Sequence, residues 1–373
     1  MRVHTSVISD CDIAAELSRS LTLKVVIVIK TVLCLLGLFA ITAFLRIKGT
    51  SWLCHPHTKR MFAVHVSATY LSTLFYLVCF VTDLFRYWRF YPNNCDYTLP
   101  FAFAFLVRLT AVIGNIIQVL SITAIAIERL YASIRPATYE SLNSSFIKAF
   151  TTVLVIVLSI ALCAGLTIPG VRWDEPASMF TIRTVENLDR FQIMVQIEVC
   201  LELAALLTFH FSLYLNFRKK ISRTNYVAER YQVSSNKRVI VQLLPVFWCH
   251  FICIFITSFG LGIYPYVVAA DTEVAHGVFL ELVAIAPLYA VIMPVMMFAL
   301  VEDREAYAKR VAASSRKSTI ASTGEVRTPD EGEEHFKALQ TLFSQPIEEK
   351  ERPIRTVIRE TARGFAAMCC CRV

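Results

Sequence analysis

Residues 99–127 read LPFAFAFLVRLTAVIGNIIQVLSITAIAI, with Arg108 as the one charge. A helix rises about 1.5 Å per residue, so roughly 20 apolar residues cross a hydrocarbon core of about 30 Å. This stretch exceeds that length. Six similar runs accompany it, at residues 25–45, 61–85, 146–168, 191–217, 239–266 and 277–301. Only a short polar stretch, Asp271 to Gly277, separates the last two. Lipid admits only helices or closed barrels, because backbone polar groups there must be paired internally. The period-2 alternation of a barrel does not occur in these runs. The expected fold is therefore an all-α membrane protein, a seven-transmembrane helix bundle.

Composition agrees. Of 373 residues, 56% are hydrophobic and only 18% are charged, too little charge to cover a water-soluble body of this size. The expected organisation is an extracellular N-terminus at 1–24, a seven-transmembrane domain at 25–301 and a cytoplasmic tail at 302–373. The first 24 residues carry no apolar core and no small-residue cleavage site, so the first helix is expected to serve as the insertion signal. In the tail, Glu302 to Ala313 has an interfacial-helix pattern, and the Ser/Thr/Glu-rich stretch beyond reads as disordered.

Short cytoplasmic loops retain Lys and Arg. The N-terminus and the loops after the second, fourth and sixth helices hold eight such residues: Arg2, Arg19, Lys24, Arg86, Arg89, Arg172, Arg183 and Arg190. The opposite loops and the start of the tail hold eighteen, among them Arg129, Arg135, Lys219, Lys220, Arg223, Lys237 and Arg238. The N-terminus is thus expected outside and the C-terminus inside, at the plasma membrane. The net charge of +8 is then an orientation signal rather than a nucleic-acid footprint, and no nucleic-acid partner is expected.

Of the 12 cysteines, only Cys11 and Cys95 fall in the expected oxidising space. A bridge between them would tie the N-terminus to the top of the third helix; two free thiols are the alternative. The second outer loop contains no Cys. The chain ends Met368-Cys369-Cys370-Cys371-Arg372-Val373, and Cys369, Cys370 and Cys371 beside basic residues suggest palmitoylation and hence a contact with membrane lipid. The sequon Asn143-Ser144-Ser145 lies on the expected inner side and should stay unmodified.

The inner end of the third helix reads Ile125-Ala126-Ile127-Glu128-Arg129-Leu130-Tyr131-Ala132. An acid–Arg pair there resembles the Asp/Glu-Arg-Tyr element of G-protein-coupled receptors. Glu128-Arg129, then Ala132, then Tyr139-Glu140 resembles the ER…A…YE signature of nematode serpentine chemoreceptors of the Sra superfamily, particularly the Srab and Sre branches. The block from Arg230, Tyr231 and Gln232 to Asn236 and Arg238 resembles their RYQ…EN.R stretch, with Ser235 where Glu is usual. The resemblance implies a chemosensory receptor of sensory neurons whose partner is a heterotrimeric G protein. It also implies a switch role for these motif residues. Features of rhodopsin-like receptors are missing: the sixth helix has Pro245 and Pro265 but no Cys-Trp-x-Pro, and the seventh has Met293-Pro294 in place of Asn-Pro.

Ionisable residues inside a bilayer are expensive and so point to function. In the outer half these are Lys30, Asp83, Arg108, Glu198, Glu202 and Glu281, with Tyr264 and Tyr266 near the rim. Glu198 and Glu202, four apart, share a helix face. Arg108 is expected to pair with one of them, and Lys30 with Glu281. Such a set reads either as structural ion pairs or as the polar wall of a pocket for an extracellular small-molecule ligand. His65, His210 and His250 have no metal-ligand spacing and read as packed histidines, so no metal or cofactor is expected. The region 277–301 has no Lys for a retinal Schiff base. The inner loops leave no space for an inserted enzyme, and no Ser/His or His/Asp constellation stands out. A seven-helix ion channel or transporter remains the alternative to a receptor.

Overall fold

In the computed structural model the described residues are 10–48, 55–139, 145–184, 186–218, 227–267 and 273–301. Glu140, the tail with its proposed helix, and Cys369 to Cys371 lie outside them, as do the side chains of Arg230, Tyr231, Tyr264 and Tyr266. Apart from Val227 and Ala228, the described residues fall in one compact unit, residues 1–223 with 229–302.

Seven helical spans are long and apolar enough to cross a membrane. They are α2 (Leu21–Ile47), α3 (Pro56–Trp88), α4 (Phe101–Ile134), α6 (Ser145–Thr167), α7 (Leu188–Arg218), α8 (Val227–Val267) and a last span made of α9 (Glu273–Val283) and α10 (286–301). The short helices α1 (Asp10–Arg19) and α5 (Pro136–Tyr139) lie at opposite ends of the bundle. The multi-pass fold expected from the apolar runs is the fold observed.

Burial sets the layout. Within its span α4 is 61% buried and is the central helix; α6, at 17%, is peripheral. The outer faces of α2 and α6 present Leu21, Ile29, Phe39, Phe146, Phe150 and Val157. A soluble monomer rarely exposes so much apolar surface, whereas lipid accepts it. Inside, Phe44, Phe62, Phe105, Phe209 and Phe247 are among the largest fully buried side chains. Lipid tails are as apolar as the helix faces, so the helices hold together by close packing and polar contacts. Gly114 shows this. A Cβ there would stand 2.8 Å from Ser72 Cβ and 3.1 Å from the Ala68 carbonyl, so only glycine lets α4 approach α3 this closely.

Three local features depart from the expectation. Residues 10–19 form a helix whose Ala14, Ala15 and Leu17 are buried. Of the two alternatives for Cys11 and Cys95 the bridge is the one present: it ties this helix to the 3-10 turn Asn94–Tyr97, and Asn94 Nδ2 donates to Asp12 Oδ1 at 2.9 Å. The loop after α6 carries a two-residue strand, β2 (Pro176–Ala177), antiparallel to β1 (Leu99–Pro100) at the start of α4. The last span is broken at 284–285. Pro287 has no N–H to give the Val283 carbonyl, and its ring would crowd that carbonyl in a continuous helix. The freed oxygen instead accepts from Ile285 N at 2.9 Å and from Thr257 Oγ1 at 3.0 Å.

Candidate functional site

Two polar centres lie far apart along α4. The first surrounds Arg129, only 2% exposed near the end of the helix. Its Nη2 donates to Glu128 Oε1 at 2.6 Å and to the Tyr139 hydroxyl, and its Nη1 donates to Asn236 Oδ1 at 3.1 Å. Asn236 Nδ2 in turn donates to Ser133 Oγ at 2.8 Å, and so does Asn216 Nδ2 of α7 at 2.7 Å. Glu128 is the acidic hub. It accepts from Thr58 Oγ1 at 2.8 Å and from Tyr139, and His55 Nδ1 and His57 Nδ1 stand 2.9 and 3.1 Å away. Burial raises the pKa of the Tyr139 hydroxyl, and the Glu128 carboxylate pushes the same way against Arg129. Tyr139 therefore stays a proton donor. The guanidinium joins α4 to α5 and α8, while Glu128 brings in α3 and Ser133 brings in α7.

Of the motif residues, Glu128, Arg129, Tyr139 and Asn236 meet in this centre. Gln232 and Arg238 have side chains that none of these contacts include. His55, His57 and Thr58 belong to it although the motif reading did not single them out. Nothing local marks them, because their partner lies about 70 residues downstream.

The second centre is a cavity of about 120 Å³ at the α1 end. Tyr76, Arg108, Asn115, Gln118, Glu198, His250 and Glu281 supply its polar wall, and Val112, Met194, Ile254 and Leu280 supply apolar wall. Met179, Phe180 and Ile182 from the loop after α6 reach into the lining. The β1–β2 ladder holds that loop, as do Arg86 and Tyr87, which both donate to the Ser178 carbonyl at 2.9 and 3.0 Å.

The charges pair differently from the sequence expectation in one respect. Lys30 Nζ meets Glu281 Oε2 at 2.6 Å, and Arg108 Nη2 meets Glu281 Oε1 at 3.4 Å. Arg108 is thus bound to α9 and not to Glu198 or Glu202 of α7. The reason is that α9 packs on α2 and carries Glu281 between the two cations. The guanidinium of Arg108 also lies over the Tyr76 ring, 4.8 Å from its centroid. Glu202 Oε1 instead meets His250 Nδ1 of α8 at 2.8 Å. Of the charges expected in the pocket wall, Lys30, Asp83 and Glu202 do not line the cavity; Asp83 holds Arg86 at 2.5 Å. Arg86 itself, read as a loop residue, is buried, because α3 continues to Trp88 and Asp83 with the Tyr97 carbonyl receives its guanidinium.

The three histidines read from sequence as packed residues are hydrogen-bonded, and two of them form a polar layer from the cavity wall toward the Arg129 centre. Gln118 of α4 is 3.3 Å from His250 Nε2 and donates to Ser72 Oγ at 3.2 Å. His65 bonds to the Gln118 carbonyl, to Ser121 and, at 2.7 Å, to the Tyr289 hydroxyl. His210 bonds to the Leu206 carbonyl of its own helix. Among the described residues no cluster of His, Cys, Asp and Glu could hold a metal ion.

Residues 8–318 match the family model of the serpentine type 7TM GPCR receptor class ab chemoreceptors. The chain is also 23% identical over 323 residues to serpentine receptor class alpha/beta-14 of Caenorhabditis elegans, covering 79% of this chain and 78% of that protein.

Proposed function

The chain belongs to the serpentine class ab chemoreceptor family, and from that membership we propose that it is a G-protein-coupled chemosensory receptor of the plasma membrane. It binds a small molecule from outside the cell in the cavity beside Arg108. It activates a heterotrimeric G protein through the end of the bundle that bears Arg129. The N-terminus faces out and the C-terminus in, as the excess of Lys and Arg on the Arg129 side supports.

One observation carries the reading. The central helix has a charged cavity at one end and, 21 residues on, an arginine bonded to α5 and α8 at the other. At about 1.5 Å per residue those arginines are roughly 30 Å apart, about one hydrocarbon thickness. Ligand contact on one side of a bilayer and partner contact on the other is what that spacing permits. Glu128, Arg129, Tyr139 and Asn236 then form the resting lock. Opening the bundle releases Arg129 and exposes the inner ends of α3, α4 and α8 to the G protein. Glu140, Arg230, Tyr231, Gln232 and Arg238 flank that surface in sequence.

Arg108→Ala tests the reading. It leaves Lys30 with Glu281, so the bundle keeps a compensated pair. The expected result is a ligand response lost or shifted at least tenfold to higher concentration with surface expression kept. Loss of expression together with response would assign Arg108 to folding alone.

A further inference from the structure

Glu198 is the one carboxylate lining the cavity that has no cation against it among the described residues. Glu281, the other, is shared by Lys30 and Arg108. Glu198 is 8% exposed, its Oε1 has no hydrogen-bond partner, and Glu202, one turn on along the same helix, is a like charge. His250 is engaged by Glu202 at 2.8 Å and so does not serve Glu198. Ionising a buried carboxyl group without a counter-charge is costly in a low-dielectric setting, and an entering cation offsets that cost.

The rest of the wall states what kind of cation. Met194 and Val195, one turn before Glu198 on α7, and Ile254 of α8 line the same cavity and give it an apolar surface; Arg183 is a second cation in the lining besides Arg108. A volume of about 120 Å³ is close to the scale of an engineered cavity of roughly 150 Å³ that holds benzene. A bare metal ion would leave that apolar wall unfilled and find one carboxylate where several oxygens are needed.

Resting on the reading of this cavity as the ligand site, we propose that the receptor recognises a small organic amine. Its ammonium group donates to the free oxygen of Glu198, and its hydrocarbon body fills the space between α7 and α8. The positive end of the cavity, where Lys30 and Arg108 share Glu281, repels the ammonium and so fixes the amine's orientation.

Purified full-length receptor in lipid nanodiscs tests this, with thermal stability read against three probes of one size: benzylamine, benzyl alcohol and benzoate. Benzylamine is expected to raise the melting temperature of the wild-type protein. The shift should vanish in Glu198→Gln, which keeps shape and removes charge, and persist weakened in Glu198→Asp. An equal benzylamine shift in Glu198→Gln would overturn the proposal, as would no benzylamine shift in the wild type. Stabilisation by benzoate or benzyl alcohol without benzylamine would also overturn it, while leaving the cavity as a ligand site. If Ser258→Trp, which fills the cavity, leaves the response to the natural stimulus extract unchanged, the cavity reading itself fails.

Discussion

Glu128→Gln is expected to raise signalling in the absence of ligand about tenfold. Glu128 holds Arg129, Tyr139, Thr58, His55 and His57 together, and each contact draws on its negative charge. A hydrogen bond to a charged group contributes about 1.5–3 kcal/mol. Losing a net 1.4 kcal/mol of resting-state stability already shifts a two-state equilibrium about tenfold. Glutamine keeps the volume and can still accept from Thr58, so folding should survive. Nucleotide exchange on a co-expressed G protein, normalised to surface receptor, checks it. Unchanged basal exchange would mean that the contacts around Arg129 do not hold the resting state.

Glu281→Ala should produce the largest loss of folded protein. The substitution leaves the buried Lys30 and the half-buried Arg108 without their shared carboxylate. Removing one partner of a buried pair costs about 3–5 kcal/mol, comparable to a large part of a domain's net stability. Lys30→Met should be much milder, because Arg108 keeps Glu281. Surface expression and the melting temperature of the purified protein are the readouts. Equal stability of the two variants would show that Glu281 is hydrated in the folded bundle rather than enclosed by it.

The seven spans could be read from sequence because a membrane sets a length threshold that apolar runs either meet or miss. The break at 284–285 has a visible cause in Pro287, yet an apolar run conceals it because composition does not register a missing N–H. The helix at 10–19 escaped notice because Ile13, Ala14 and Leu17 give only one turn of apolar spacing within a polar segment. At the Arg129 centre, the resemblance to serpentine receptors pointed to Glu128, Arg129, Tyr139 and Asn236. It said nothing of His55, His57 and Thr58, which reach the centre through tertiary packing alone. In the cavity, sequence exposed the unusual charges but could not choose their partners. Arg108 takes Glu281 because of how α9 docks on α2, and helix adjacency alone had favoured α7.

Whether the cavity opens outside the cell and Arg129 faces the cytoplasm is tested most directly by epitope labelling. One tag precedes Met1, another follows Val373, and intact cells are compared with permeabilised cells. The proposed receptor predicts an N-terminal tag stained on intact cells and a C-terminal tag stained only after permeabilisation. The reverse pattern would put the Arg129 centre outside the cell, out of reach of any G protein, and contradict the proposed function.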